Sequence, residues 1–379
     1  EAGAIQALLE IYPRLRECVE ERTSLASSGG AGPQAFHLGP GVRALPLAEG
    51  PGVVPGEGPP EAERVMRTFV RALAGARSLF RQFAATRIPE LRRSRSLVHE
   101  MIDCLAEEDF TLLGLTAIQD FDEYTFQHSV HVTVLATALG QWLGLPRRDL
   151  ADLGVAALFH DIGKLHVPRE ILHKPHQLRP QEWSLVRAHP LAGARRLLPY
   201  GAASPVAATA ACVCLEHHMH YDGKGYPQLA DWSQGLFARI VSLADCYDAM
   251  TASRVYSTRP LTPDSVILHM IQGAGRHFDP DLIRLFVARV GLYPAGSIVR
   301  LRSGEEAIVL GPPETAAQVE RPRVAILRKG PRGCELAAER DLSAGPPEDG
   351  AHAIQGALGP AESSVSVDDL LSGYHVASR

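Results

Sequence analysis

Lysine is nearly missing from this chain. Of 38 basic residues, only Lys164, Lys174, Lys224 and Lys329 are lysines and the rest are arginine. A lysine retained in so Arg-biased a sequence points to chemistry arginine cannot do, such as a compact donor of shiftable pKa. Long apolar runs are absent as well. No stretch approaches ~20 uncharged residues, which excludes a membrane-spanning helix. There is no excess of positive charge: the formal net charge is -5, and no nucleic-acid-binding motif occurs, which argues against nucleic-acid polymers as partners. Cysteine is sparse and scattered, at Cys18, Cys104, Cys212, Cys214, Cys246 and Cys334. That pattern forms no disulfide framework and is expected of reduced thiols in a cytoplasmic protein. The opening "EAGAIQALLEIYPRLRECVEE" lacks the cationic start of a signal peptide, and the chain begins without an initiator methionine. Neither a dinucleotide-binding glycine loop nor a receiver domain with its phosphorylatable aspartate is recognisable, so no input signal is specified.

What the chain does have is length and organisation. Its 379 residues, 45% apolar, suffice for one large domain with smaller units beside it. Residues 1–27 read as one helix, and residues 28–60, rich in glycine and proline, as a linker. Residues 61–118 are helical and Arg-rich, an input or dimerisation region. Their stripes Val65, Phe69, Leu73 and then Leu79, Phe80, Phe83 are expected to pack in a core, with a second copy of the chain as the alternative. Residues 119–290 alternate helix-length apolar segments with short polar turns. From 291 to 340 alternating Val, Ile and Leu around Ser-Gly and Gly-Pro turns predict a small β unit. Residues 341–379 are expected to be disordered, save for a short terminal helix.

Histidine is concentrated: ten of the sixteen lie between His128 and His220. Within "ALFHDIGKLHVPREIL", His160 and Asp161 end an apolar helix, where adjacent side chains point about 100° apart and make a poor core pair. As ligands to one ion, or to a pair of ions, they make sense. Further candidates arrive about one per helix: His128 in "YTFQHSVHV", His189 in "VRAHPLAG", His217 and His218 after "PVAATAACVCLE", and Asp245 in "SLADCYDAM". The gaps from Asp161 to His189, His189 to His217 and His218 to Asp245 are 28, 28 and 27 residues, each the length of a helix, a turn and a return. Bundle helices can therefore present these groups at a similar depth. Asp161 and Asp245 each follow an apolar stretch, where an unpaired carboxylate is costly to bury and a cation removes the cost. Five imidazoles and two carboxylates suit two divalent ions of the iron or manganese class, whereas structural zinc would take four ligands and favour thiolate. Cys212 and Cys214, in an apolar helix, read as small buried side chains. His131 reads as an outer partner or a surface residue, and the loop histidines His166, His173 and His176 as solvated.

These segments resemble the HD-GYP family of bacterial phosphodiesterases, a branch of the HD superfamily. The matching elements are "DEYTFQHSVHV", "ALFHDIGKLHVPREIL", "KPHQLRPQEWSLVRAHP", "EHHMHYDGKGYP", "LFARIVSLADCYDAMTA" and "GAGRHFDPDLI", in family order over residues 119–288. The resemblance implies an all-α helical bundle of HD type as the catalytic domain, with an N-terminal helical region and a small C-terminal β unit. It implies hydrolysis of cyclic di-GMP to the linear dinucleotide, and in some members on to GMP, or of a cyclic GMP-AMP dinucleotide. Carried over by position, the metal ligands are His128, His160, Asp161, His189, His217, His218 and Asp245, with Asp161 as bridge between two ions. Asp161 and Lys164 are the catalytic pair, and Lys164, Tyr226 and Arg254 bind substrate.

The chain departs from the family at several points. Tyr124 stands where members with a third metal carry a carboxylate, which implies a two-metal centre. Met219 replaces a glutamate after the histidine pair, and Ser257 a basic residue, with Arg259 as a candidate substitute. The competing reading is a non-hydrolytic cyclic dinucleotide receptor, or a scaffold that docks a diguanylate cyclase (GGDEF protein) through the GYP loop. Dimerisation through the N-terminal helices is expected from family habit. A mononucleotide hydrolase would need only the His, His-Asp and Asp set, and His189, His217 and His218 argue against it.

Overall fold

The computed structural model describes residues 61–86, 89–107, 124–172, 176–229, 232–251, 261–311, 319–330, 333–344 and 353–359. It also describes the short pieces 37–38, 42–43 and 362–363 and the single positions 113, 116 and 174. The helix expected over 1–27 and the positions Arg254, Ser257, Arg259 and His173 lie outside the described residues, as does the side chain of Tyr124.

Within the segment read as a linker, β1 (His37–Leu38) and β2 (Val42–Arg43) pair antiparallel. The helices follow: α1 (Glu61–Thr86), α2 (Leu91–Glu107), α3 (Tyr124–Trp142), α4 (Arg147–Phe159), α5 (Arg169–Leu172), α6 (Pro180–Arg187), α7 (His189–Gly201), α8 (Pro205–Glu216), α9 (Leu236–Thr251), α10 (Pro263–Gln272) and α11 (Pro280–Val290). Three of them are buried on nearly every side. In α3 every residue from Gln127 to Gly140 is buried, in α4 every residue from Asp149 to Phe159, and in α8 every residue from Val206 to Glu216. A helix with no solvent-facing side has to sit at the centre of its bundle. By contrast α6, which buries no residue, lies on the surface. None of the described helices is long and apolar enough to cross a membrane.

Within the region 61–118, helices α1 and α2 pack into the main core. Val65, Phe69, Phe80 and Phe83 of α1 and Val98, Met101 and Leu105 of α2 belong to the same continuous core as α3, α4 and α9. Phe80 lies parallel to Phe159, with 6.2 Å between ring centroids, and Phe159 directly precedes His160. The stripe that could have faced a second copy is spent on this chain's own core.

After α11 comes an antiparallel sheet of β3 (Ile298–Leu301), β4 (Glu306–Gly311), β5 (Arg323–Gly330), β6 (Gly333–Asp341) and β7 (Ile354–Ala357), ordered β6-β5-β4-β3-β7. It closes over its own small core of Val299, Leu301, Ala307, Val309, Val324 and Ile326. The last strand corrects the expectation of disorder beyond residue 340. β7 pairs with β3 in the register Val299↔Ala357. Its Gly- and Ala-rich sequence hides it, because at four residues it carries almost no alternation and depends on the neighbouring strand.

Candidate metal centre

Each expected ligand is placed by a different local device. His160 caps the C-terminus of α4, and His217 caps that of α8. Two helix C-termini, the negative ends of their dipoles, therefore point at one spot and favour a cation there. Directly after His160-Asp161 the chain tightens into a 3-10 turn, Ile162–His166. Gly163 permits that turn to lie flat on α7: a Cβ there would sit 1.9 Å from the His189 carbonyl oxygen. His189 opens α7, His128 lies in α3 and Asp245 in α9.

The seven side chains converge. His189, His217, His218 and Asp161 form one cluster and His128, His160 and Asp245 a second, the ligand atoms of each within 4.8 Å of one another. Asp161 stands between them. Its Oδ1 is 3.1 Å from His189 Nε2 and 3.7 Å from His217 Nε2. Its Oδ2 is 3.4 Å from His160 Nε2 and 3.6 Å from His128 Nε2. Asp245 Oδ1 approaches His128 Nε2 at 3.1 Å, and Oδ2 faces His218 Nδ1 at 3.9 Å.

Ring tautomers are set from behind. The Nδ1–H groups of His160 and His189 donate to the carbonyl oxygens of Ala157 and Val186, both at 2.7 Å, and that of His217 to Cys214 at 2.9 Å. His128 Nδ1 donates to Asp248 Oδ2 at 2.7 Å. With Nδ1 committed, each Nε2 presents a lone pair to the centre, which is how protein histidines are prepared for metal. His160 Nε2 is buried with no hydrogen-bond partner. Such an orphan is costly, and a cation resolves it. The donor set thus fits divalent ions on its own geometry.

The electrostatics agree. Burial pushes the Asp161 carboxyl up, but the Lys164 ammonium and the rings of His160 and His189 hold it well below the usual carboxylate range. Burial likewise opposes ionisation of Asp245, and His128 outweighs it. Burial holds His189 and His218 below the ordinary imidazole value, so both stay neutral and able to ligate.

Lys164 pairs with Asp161 Oδ2, its side chain one-quarter exposed at the edge of the centre. Tyr226 stacks on His218 with ring centroids 4.7 Å apart, and its amide donates to the His218 carbonyl at 3.0 Å. Gly225 allows that return, since a Cβ there would lie 2.2 Å from the same carbonyl oxygen. Met219 does not face the centre; it packs in a small cluster with Ala194, Cys212 and Leu215. Cys214 is buried and donates to the His160 carbonyl at 3.0 Å, so the CxC pair supports the site without joining it.

Two residues escaped the sequence reading. Asp248 is buried and accepts from His128 and from His131, the latter at 2.8 Å, and those contacts hold its pKa down at about 2 against the effect of burial. His131 is therefore a buried outer partner. The signal was present: Asp248 follows Asp245 by three residues, and His131 follows His128 by three, so both pairs share helix faces. Glu216, just before the histidine pair, accepts from Trp232 Nε1 at 3.0 Å and the Gly235 amide at 2.8 Å. It ties the chain returning from the GYP loop to the end of α8, and a lone glutamate after an apolar helix gave no hint of that.

The family model for the HD domain matches residues 101–282. The chain is 41% identical over 241 residues to a cyclic di-GMP phosphodiesterase of Pseudomonas aeruginosa, covering 63% of this chain and 57% of that protein. It is 31% identical to the cyclic di-GMP phosphodiesterase response regulator RpfG of Xanthomonas campestris, covering 51% of each. It is 38% identical over 146 residues to a 3'3'-cGAMP-specific phosphodiesterase of Vibrio cholerae, covering 38% of this chain and 33% of that one. The chain thus spans about half the length, or less, of these curated relatives. Among solved structures, an HDG"Y"P protein from Bdellovibrio bacteriovorus superposes with a TM-score of 0.50 at 17% identity, over 60% of this chain and 72% of that one, a likeness of fold alone. Residues 101–282 thus match the HD domain family, and over part of its length the chain is similar to proteins named as cyclic di-GMP and 3'3'-cGAMP phosphodiesterases.

Proposed function

We propose that this protein is a metal-dependent phosphodiesterase that hydrolyses a cyclic dinucleotide, cyclic di-GMP first among them, to its linear form. One observation carries the reading: two clusters of buried ligands share the single carboxylate of Asp161, one oxygen facing each. The named activities of the relatives support the choice of substrate. His189, His217 and His218 would hold one ion, His128, His160 and Asp245 the other, and Asp161 both. Bound there, two ions of the iron or manganese class supply the Lewis acidity that makes water nucleophilic at neutral pH and offsets charge on the phosphoryl oxygens.

The chain's own groups do the rest. Asp248 and the carbonyls of Ala157, Val186 and Cys214 fix the rings, so the centre is set before substrate arrives. Lys164, at the edge of the centre, holds Asp161 ionised and offers its ammonium to a phosphoryl oxygen or the departing ribose oxygen. Water's oxygen ends on phosphorus, one P–O bond breaks, and the ribose oxygen leaves as a hydroxyl. The complete ligand set favours hydrolysis over a purely receptive role.

The test is Lys164→Met with metal content and product measured together. The expected result is wild-type metal loading with turnover lowered about 10²-fold or more, the usual scale for losing a positioned acid. Wild-type turnover in that variant would remove Lys164 from the chemistry.

A further inference from the structure

Helix α6 should not look as it does if it were only a connector. It buries none of its residues, yet it carries Trp183, 47% exposed, and Leu185, 50% exposed. The other two tryptophans are packed: Trp142 is buried and Trp232 half-buried, bonded to Glu216. The helix is also held firmly. Glu182 accepts from Lys174 Nζ at 2.6 Å and from the Arg179 amide at 2.7 Å, and at the far end the Val186 carbonyl takes the Nδ1–H of His189.

Arg187, one turn after Trp183, links that ring to the centre. Its guanidinium carbon is 6.0 Å from the Trp183 ring centroid and 5.4 Å from that of Tyr226. Tyr226 in turn stacks on His218, the rings inclined by 30°. The result is a ladder of flat groups, Trp183, Arg187, Tyr226, His218, running from an exposed surface to a candidate metal ligand. Stacked planar groups of this kind accept a nucleobase, because every base offers a π face and guanidinium both stacks and donates in plane.

We propose that Trp183 and Arg187 form the base-binding subsite of the centre: a purine stacks on Trp183 while Arg187 donates to its acceptor edge or the adjoining phosphate. The inference rests on the proposed cyclic dinucleotide activity. Neither residue touches the reacting phosphorus, so both act on affinity and orientation. Both are on a helix that contributes nothing to the core, so their replacement leaves the fold intact.

The test uses metal-loaded enzyme and a phosphorothioate analogue of cyclic di-GMP that resists hydrolysis, followed by tryptophan fluorescence, with turnover of cyclic di-GMP measured in parallel. In the wild type, binding quenches emission. Trp183→Phe keeps affinity within about threefold but loses the quench. Trp183→Ala and Arg187→Gln weaken binding and raise KM about tenfold, with kcat and metal content little changed. A quench that persists in Trp183→Phe overturns the subsite, as does wild-type affinity in Trp183→Ala. A loss confined to kcat or metal content also overturns it, because that marks support of the fold. In all those cases the wild type still binds and hydrolyses. If the wild type does neither, the cyclic dinucleotide activity itself fails, and the subsite goes with it.

Discussion

Replacing Asp248 by asparagine isolates what orients the centre from what ligates it. Asp248 touches no candidate metal position; its two oxygens accept from Nδ1 of His128 at 2.7 Å and of His131 at 2.8 Å. Asparagine keeps the shape but offers one oxygen and one NH2. The amide group facing His128 Nδ1 with its N–H would force that nitrogen to accept and move the ring proton to Nε2, the atom that must ligate. Outer partners of this kind are worth about 10–100-fold in metal affinity. Asp248→Asn is therefore expected to weaken the ion at His128, His160 and Asp245 about 10–100-fold, read by metal titration of the apoprotein, with stability little changed. Asp248→Ala strands two buried N–H groups at about 1–3 kcal/mol each, so urea unfolding should show a loss of about 2 kcal/mol or more as well. Wild-type metal affinity in both variants would refute the argument that Asp248 sets the tautomer of His128.

Two further expectations follow from the core and the charges. Phe80→Ala, which removes a fully buried ring packed on Phe159 beneath His160, should cost about 3–5 kcal/mol in one cooperative unfolding transition and loosen metal binding; a separate N-terminal unit would instead melt alone and leave the metal untouched. In the metal-free protein, His189 and His218 titrate below the ordinary value of 6.5, mainly through burial, so the unfolded chain takes up protons that the folded chain refuses. Stability then falls as pH drops below about 6.5, and the depressed carboxylates of Asp161 and Asp245 extend the loss further into acid. A urea midpoint that stays flat between about pH 7.5 and about pH 5 would contradict this.

Much of the candidate centre was legible because its candidate ligands obey the spacing of a helix and return, and because a carboxylate at the end of an apolar helix is costly to bury without a partner. That is why His128, His160, Asp161, His189, His217, His218 and Asp245 could be read from the chain and are found together. The outer groups were harder. Asp248 looks like any polar residue in a helix until α3 brings His128 and His131 against it, a contact 120 residues away in sequence. Arg187 reads as a charge on an exposed helix, and only the fold sets it against Tyr226. Met219 marked a departure from the family pattern, and packing accounts for it as filler in an apolar pocket. The packing of α1 and α2 into the main core was hidden for a similar reason: an amphipathic stripe shows that a face is buried without showing against what. β7 was invisible because four residues with Gly and Ala owe their extended state to the partner strand.

The central claim is that Asp161 joins two metal positions into one hydrolytic centre. The most direct measurement is metal content per chain alongside product formation, with the protein purified anaerobically with iron or manganese and incubated with cyclic di-GMP and with cyclic GMP-AMP. Asp161→Ala and Asp161→Asn are run beside the wild type. The account predicts about two ions per wild-type chain and metal-dependent release of linear dinucleotide, with both lost together in the two variants. A wild-type chain that binds no metal, or variants that retain two ions and full turnover, would contradict it.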